Sequence, residues 1–132
     1  MGVHSLTKGG SEENFIRSSW LQSQRRWHLY GSKEPSWTPE VSEATKARIE
    51  RHLQESLFIV AHEVEDPDTI LAWICADFPL CHYAYTKAPF RRWGIAKRLW
   101  TLAGEPRECT SQGFVFGAIQ KRYGLTFKRD LL

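Results

Sequence analysis

Apolar positions along the chain fall first at helical and then at strand spacing. Ile16, Trp20, Ser23 and Trp27 recur at intervals of four, three and four, a single helical stripe in which three of the four members are apolar. Ser11 can cap this helix, Glu12 and Glu13 put negative charge in its first turn, and it should end near His28 to Gly31. Thr38-Pro39-Glu40 then reads as a helix start, an N-cap followed by proline at the first helical position. Val41, Thr45, Ile49, Leu53 and Leu57 continue it as a row, with Lys46, Glu50 and Glu55 opposite, and the helix should end near Gln54 to Ser56.

From there the period shortens. Leu57 to Ala61 and Ile70 to Cys75 are short apolar runs rich in strand formers, separated by the turn signal Asp66-Pro67-Asp68, and predict an antiparallel hairpin. Phe78-Pro79 interrupts the chain. Cys81 to Thr86 predicts a third strand, with Cys81, Tyr83 and Tyr85 on one face and His82, Ala84 and Thr86 on the other. Arg92 to Ala103 predicts a helix with Ile95, Leu99 and Leu102 inward, ended by Gly104-Glu105-Pro106. Cys109 to Gln112 reads as a short strand, Phe114 to Tyr123 as a helix and Leu125 to Lys128 as a last strand. Residues 1–10 are polar and glycine-containing, either a flexible arm or a short first strand through Val3 to Leu6. The fold class is therefore mixed α/β (α+β), and 132 residues fit one domain spanning 1–132.

Composition excludes several classes. Hydrophobic residues at 42% and charged residues at 25% describe a globular chain that is not disordered. No apolar run approaches a membrane span, and Met1 to Gly10 has no signal-peptide core. Three cysteines, Cys75, Cys81 and Cys109, show no C-x-x-C spacing. No disulfide framework and no metal site is expected, and Cys75 and Cys81 read as buried small hydrophobes. The expected setting is reducing and cytoplasmic. A net charge of +3 is too small to argue for nucleic acid. Its distribution says more. From Phe78 to Gly104 there is no acidic residue, while Lys87, Arg91, Arg92, Lys97 and Arg98 fall there. Such a run is either a solvated basic helix face or the local field for a phosphate-bearing ligand.

The stretch from Tyr85 to Leu99 runs from a strand, through a turn with Pro89, into a helix. Its Arg91-x-x-Gly94-x-Ala96 pattern sits at the helix start. There, unpaired backbone N–H groups and partial positive charge make an anion site, and Gly94 and Ala96 let the backbone approach. A pyrophosphate suits this arrangement. The G-x-x-x-x-G-K-[ST] and G-x-G-x-x-G loops of other phosphate binders are absent.

Arg91-Arg92-Trp93-Gly94-Ile95-Ala96 resembles the Q/R-x-x-G-x-G/A signature of the GNAT acetyltransferase superfamily, and the preceding Tyr85-Thr86-Lys87-x-Pro89-Phe90 is similar to that family's strand and turn, with proline displaced by about one position. Phe15-Ile16-x-x-x-Trp20-Leu21 resembles small phage-encoded members. The resemblance covers organisation from Ser11 to Gly104 and motif from Tyr83 to Leu99. It implies a mostly antiparallel sheet flanked by helices, here with a short C-terminal half. It also implies an acyl-CoA-dependent N-acyltransferase that uses acetyl-CoA or CoA, with direct attack by an amine. On that resemblance Tyr85, Thr86 and Lys87 would meet the pantetheine arm. Arg91, Arg92, Trp93, Gly94, Ile95, Ala96 and Lys97 would hold the pyrophosphate. The family often carries an acid tyrosine on the helix after its fifth strand, and here Gln120 stands at that position, with Tyr123 nearby. Asp77 and Tyr123 are the candidate catalytic residues; Glu63 is a further strand-end carboxylate and His82 a hydrogen-bonded structural histidine. The acceptor is an amine on a small molecule or a protein, and a homodimer would complete a reduced substrate side. The alternative is a catalytically weak module of the same fold that contacts nucleic acid, suggested by Arg25-Arg26-Trp27 and Arg91-Arg92-Trp93.

Overall fold

A computed structural model describes residues 1–6, 9–91, 93–111 and 113–128. The strands are β1 (Gly2–Ser5), β2 (Leu57–His62), β3 (Ile70–Asp77), β4 (Leu80–Thr86), β5 (Glu108–Cys109) and β6 (Thr126–Phe127). The helices are α1 (Ser11–Tyr30), α2 (Pro39–Glu55), α3 (Ile95–Leu102) and α4 (Phe114–Tyr123), with a 3-10 turn at Ala88–Phe90. The strands form one sheet in chain order. Pairs β1–β2, β2–β3 and β3–β4 are antiparallel, and β4–β5 and β5–β6 are parallel.

Ile70 to Ala76 of β3 are all buried, so both faces of the sheet centre are covered. One face meets α1 and α2: the Trp73 indole donates to Ser19 Oγ at 2.9 Å. The other meets α3, whose buried residues are Ile95, Leu99 and Trp100. Trp20 is the centre of the first face. It is fully buried, lies parallel to the Tyr83 ring at 5.3 Å, stacks on His52 at 5.6 Å, and also touches Trp73 and Phe58.

Several boundaries differ from the sequence reading, each for a local reason. Residues 2–5 are a strand because they pair with β2, Gly2 opposite His62 through Ser5 opposite Ile59. Gly10 is the residue before α1 and no side chain caps it; Ser11 is already helical. Thr38 does cap α2, its Oγ1 accepting from Val41 N at 3.2 Å. Leu57 leaves the α2 row and opens β2, half exposed. The helix expected from Arg92 begins at Ile95, because Gly94 stands in the left-handed region at φ +77° and no helix passes through that conformation. Leu102 points out, and Trp100 takes the buried place expected for it. β5 is two residues long and begins at Glu108.

One difference reshapes the site. The β3–β4 register steps from Cys75 opposite Tyr83 to Ala76 opposite Cys81, so His82 is the extra residue of a β-bulge. The alternation resets there. His82 therefore reaches the α1–α2 face along with Tyr83, not the face opposite it: its ring lies 4.1 Å from that of His52, which itself stacks on Trp20.

Candidate functional site

β4 and β5 begin as a parallel pair and then part. Leu80 is opposite Glu108 and Cys81 opposite Cys109, and one further bond runs from Thr110 N to Cys81 O at 3.1 Å. β4 continues to Thr86, while β5 ends at Cys109 and α4 follows from Phe114. Lys87 N donates across to Leu71 O at 3.0 Å, so the strand's alternation turns the backbone groups of Thr86 and Ala84 toward the edge that β5 has left. The Thr86 carbonyl on that edge accepts from Arg91 Nε at 3.1 Å.

Past the end of β4 comes the turn. The first intrahelical bond of α3 runs from Arg98 N to Gly94 O at 3.1 Å, so the N–H groups of Ile95, Ala96 and Lys97 have no partner within the helix. A Cβ at Gly94 would find no atom within 4 Å. The requirement for glycine is thus its φ of +77°, since a side chain there would meet open space. Replacing Gly94 with valine is expected to cost about 1–3 kcal/mol of stability, because a β-branched residue resists that φ. Escape from it would turn the N–H groups away from a common point, so the variant, still folded by circular dichroism, should lose CoA binding in calorimetry. Unchanged affinity would separate the turn from the ligand.

Of the other residues expected at this turn, Trp93 is 67% exposed and meets Phe90 edge to face. Lys87 holds its Nζ 4.9 Å above the Phe15 ring, and Tyr85 packs on Phe15 and Trp73. Arg92 lies outside the described residues. A cavity of about 510 Å³ borders the turn on the α3 side and is lined by Glu63, Leu71, Phe90, Trp93, Gly94 and Arg98 among others, which places Glu63 there.

A second group of polar residues collects where β4 and β5 part, on the α1–α2 face. The Tyr83 hydroxyl bonds Ser23 Oγ and lies so close to Gly113 that a Cβ there would stand 2.8 Å from it. Burial pushes the Tyr83 phenol above its usual range, against the lowering effect of its hydrogen bonds with Ser23 and Gln24. From α2, Arg48 Nη2 donates to Thr110 O at 3.1 Å, to Thr110 Oγ1 at 3.2 Å and to Ser111 Oγ. Thr110 Oγ1 is 2.8 Å from His82 Nδ1, and His82 Nε2 is 3.0 Å from Asp77 Oδ2. His52 Nδ1 bonds Ser56 Oγ at 2.7 Å.

Asp77 thus joins this group through His82, with its side chain 44% exposed at the rim. Tyr123 does not. It is the last residue of α4, about 15 Å along the helix from Gly113, and its ring stacks on Trp100 at 4.5 Å. Ser23, Arg48, His52, Tyr83, Thr110 and Ser111 were not among the sequence's candidate site residues, Ser23 being read only as part of the α1 stripe and Tyr83 only as part of a strand face. Serine and threonine are too common to signal, and the bulge that aims His82 leaves no mark in the pattern.

Among the described residues one nitrogen or oxygen each from His52, Asp77 and His82 lie within 4.8 Å of one another, a set that could ligate a divalent cation. The three cysteines are buried and reduced. Burial pushes the Cys75 and Cys81 thiols well up and that of Cys109 up to about 11, which makes them poor nucleophiles. No described helix is long and apolar enough to cross a membrane.

No protein-family model matches this chain, and no curated protein matches it by sequence. Solved structures do match it. The GCN5-related N-acetyltransferase of Rhodopseudomonas palustris superposes with a TM-score of 0.56 over 92% of this chain and 79% of its own, at 12% identity. A GNAT-family structure from Staphylococcus aureus gives 0.56 over 85% and 100%, at 14% identity. An acetyltransferase from Vibrio fischeri gives 0.54 over 96% and 91%, at 13% identity.

The fold is that of the GNAT acetyltransferases.

Six strands, mostly antiparallel, carry the GNAT fold here, with helices on both faces. Among the described residues β5 and β6 have two residues each.

Proposed function

We propose that the protein is an acyl-CoA-dependent N-acyltransferase that passes an acetyl group from acetyl-CoA to an amine by direct attack. One observation carries this reading: a parallel strand pair that parts beside an open backbone edge, followed at once by a helix start led by left-handed Gly94. The edge offers the Ala84 and Thr86 amide groups to the two amides of a pantetheine arm, and the N–H groups of Ile95, Ala96 and Lys97 suit its pyrophosphate. Arg91 would exchange the Thr86 carbonyl for a phosphate. An arm laid along β4 brings its thioester to the point where the strands part, beside Tyr83 and Thr110. There the amine nitrogen forms its bond to the carbonyl carbon, and the carbon–sulfur bond breaks. Tyr83, kept protonated by its burial, donates the proton that the leaving thiolate takes up.

The distribution of basic residues supports this reading over nucleic-acid contact. Phe15 lies beside Lys87 and Tyr85, whereas Ser23 lies beside Tyr83. Arg25 and Arg26 are therefore about 15 Å along α1 from the turn, a separate cluster that forms no continuous stripe with it. Acetyl-CoA at 100 times its Kd should stabilise the fold by about 2.7 kcal/mol, which raises Tm by roughly 5–12 °C. ATP and NAD should do much less in the same scan. Equal shifts with all three would reduce the turn to a polyanion patch and remove the assignment.

A further inference from the structure

We infer that Thr110, His82 and Asp77 form a proton relay that takes the proton of the attacking amine where β4 and β5 part and hands it to solvent. The inference rests on the acyltransferase reading and names the base that reading lacks.

The chain of bonds has one consistent direction. The Asp77 carboxylate only accepts, so His82 Nε2 carries the ring proton and donates it to Asp77 Oδ2 at 3.0 Å. Nδ1 of the neutral ring is then the acceptor, and Thr110 Oγ1 donates to it at 2.8 Å while accepting from Arg48. The imidazole is buried and its two ends differ: one meets a buried hydroxyl at the strand vertex, the other a half-exposed carboxylate at the rim. When the amine attacks, its proton passes to Thr110 Oγ1 as the hydroxyl proton passes to His82 Nδ1. The imidazolium formed is stabilised by the Asp77 carboxylate, its Nε2 proton leaves to water at the exposed end, and exchange with solvent returns the ring to the Nε2–H tautomer. Tyr83 gives one proton to the thiolate and regains one from solvent, so the exchange balances.

Three other groups face this path. His52 of α2 lies against the His82 ring, Arg48 of α2 reaches it through Thr110, and Cys75 of β3 stays a protonated thiol. Arg48 also holds Thr110 and Ser111 in place, which makes it a positioning residue. The bulge at His82 is what allows the arrangement, since regular alternation would send this ring to the α3 side.

Thiol release from acetyl-CoA with benzylamine as acceptor, followed in H2O and in D2O with the full chain, tests the relay. The wild-type kcat should fall in D2O. His82→Gln should lower kcat at least 100-fold and change that solvent isotope effect, and Asp77→Asn, at a half-exposed position, should lower kcat with KM for acetyl-CoA unchanged. Both variants should keep the acetyl-CoA thermal shift. A kcat and isotope effect unchanged in both, with that shift intact, overturns the relay and leaves the acyltransferase reading standing. So does a wild type that binds acetyl-CoA and releases no thiol at any pH. So does stoichiometric zinc in the purified protein, because an ion on His82 Nε2 would replace the proton to be relayed. A wild type with no acetyl-CoA shift sinks the parent reading instead.

Discussion

Replacing Tyr83 with phenylalanine is expected to lower kcat by about 10²–10⁴-fold, the range for loss of a general acid, with little change in the affinity for acetyl-CoA. The substitution keeps the ring that lies parallel to Trp20 and removes only the hydroxyl. Ser23 loses one partner, at a cost of about 0.5–1.5 kcal/mol, so the fold should persist. Burial raises the phenol's pKa and so keeps it protonated, with its proton on hand when the thiolate leaves. The decisive measurement is kcat against acetyl-CoA concentration in the two proteins, with thermal shift as the binding control. A fall in binding with kcat unchanged would make Tyr83 a wall of the cleft and not a donor. Gly113→Ala offers an independent check, since its Cβ would crowd the phenol without removing it.

Trp20→Ala is expected to destabilise the protein by about 3–5 kcal/mol in urea unfolding. That is a large part of the ~5–15 kcal/mol by which domains exceed their unfolded states. Trp20 joins several elements: it contacts His52 of α2, Phe58 of β2, Trp73 of β3 and Tyr83 of β4, and the Arg48 guanidinium lies 5.8 Å from its ring centre. Alanine would leave a cavity under Tyr83 and under Arg48, which holds Thr110. Trp20→Phe should cost far less, about 1 kcal/mol or under, for a specific reason. The Trp20 Nε1–H is buried without a hydrogen-bond partner, so the smaller ring gives up volume but also removes an unsatisfied donor. Equal losses in the two variants would mean that the indole's own shape, and not the volume it fills, sets the cost.

The acceptor side of the site now consists of groups with defined partners. Arg48 is bonded to Thr110 and Ser111, and Ser23 to Tyr83. Both helices of the α1–α2 face therefore contribute to the place where transfer would occur, and the 20-residue α1 supplies Trp20 and Ser23 from adjacent turns.

The amino-acid sequence by itself determined most of the elements and marked the Gly94 turn. Periodicity located α1, α2, the hairpin and β4 to within a few residues, because each buries one face and so must repeat its apolar positions. Thr38-Pro39 marked the start of α2, and Arg91-x-x-Gly94-x-Ala96 marked the turn, since caps and left-handed glycines are local requirements written in adjacent residues. Only the tertiary structure decided the chemistry beside that turn. The extra residue at His82 comes from how β3 and β4 are paired, a non-local choice that period-two alternation cannot reveal, and it carries the imidazole to the α1–α2 face. Arg48, Thr110 and Tyr83 come from α2, the end of β5 and β4. Each is unremarkable in its own segment, and they become a group only where the parallel pair parts. Tyr123, close to the expected acid position by alignment, is drawn to Trp100 because a ring at the end of α4 gains more from stacking on α3 than from solvent. Local rules fix which backbone groups are left to bind an anion. Side chains drawn from distant segments are aimed by packing, and packing is settled only once the sheet is paired.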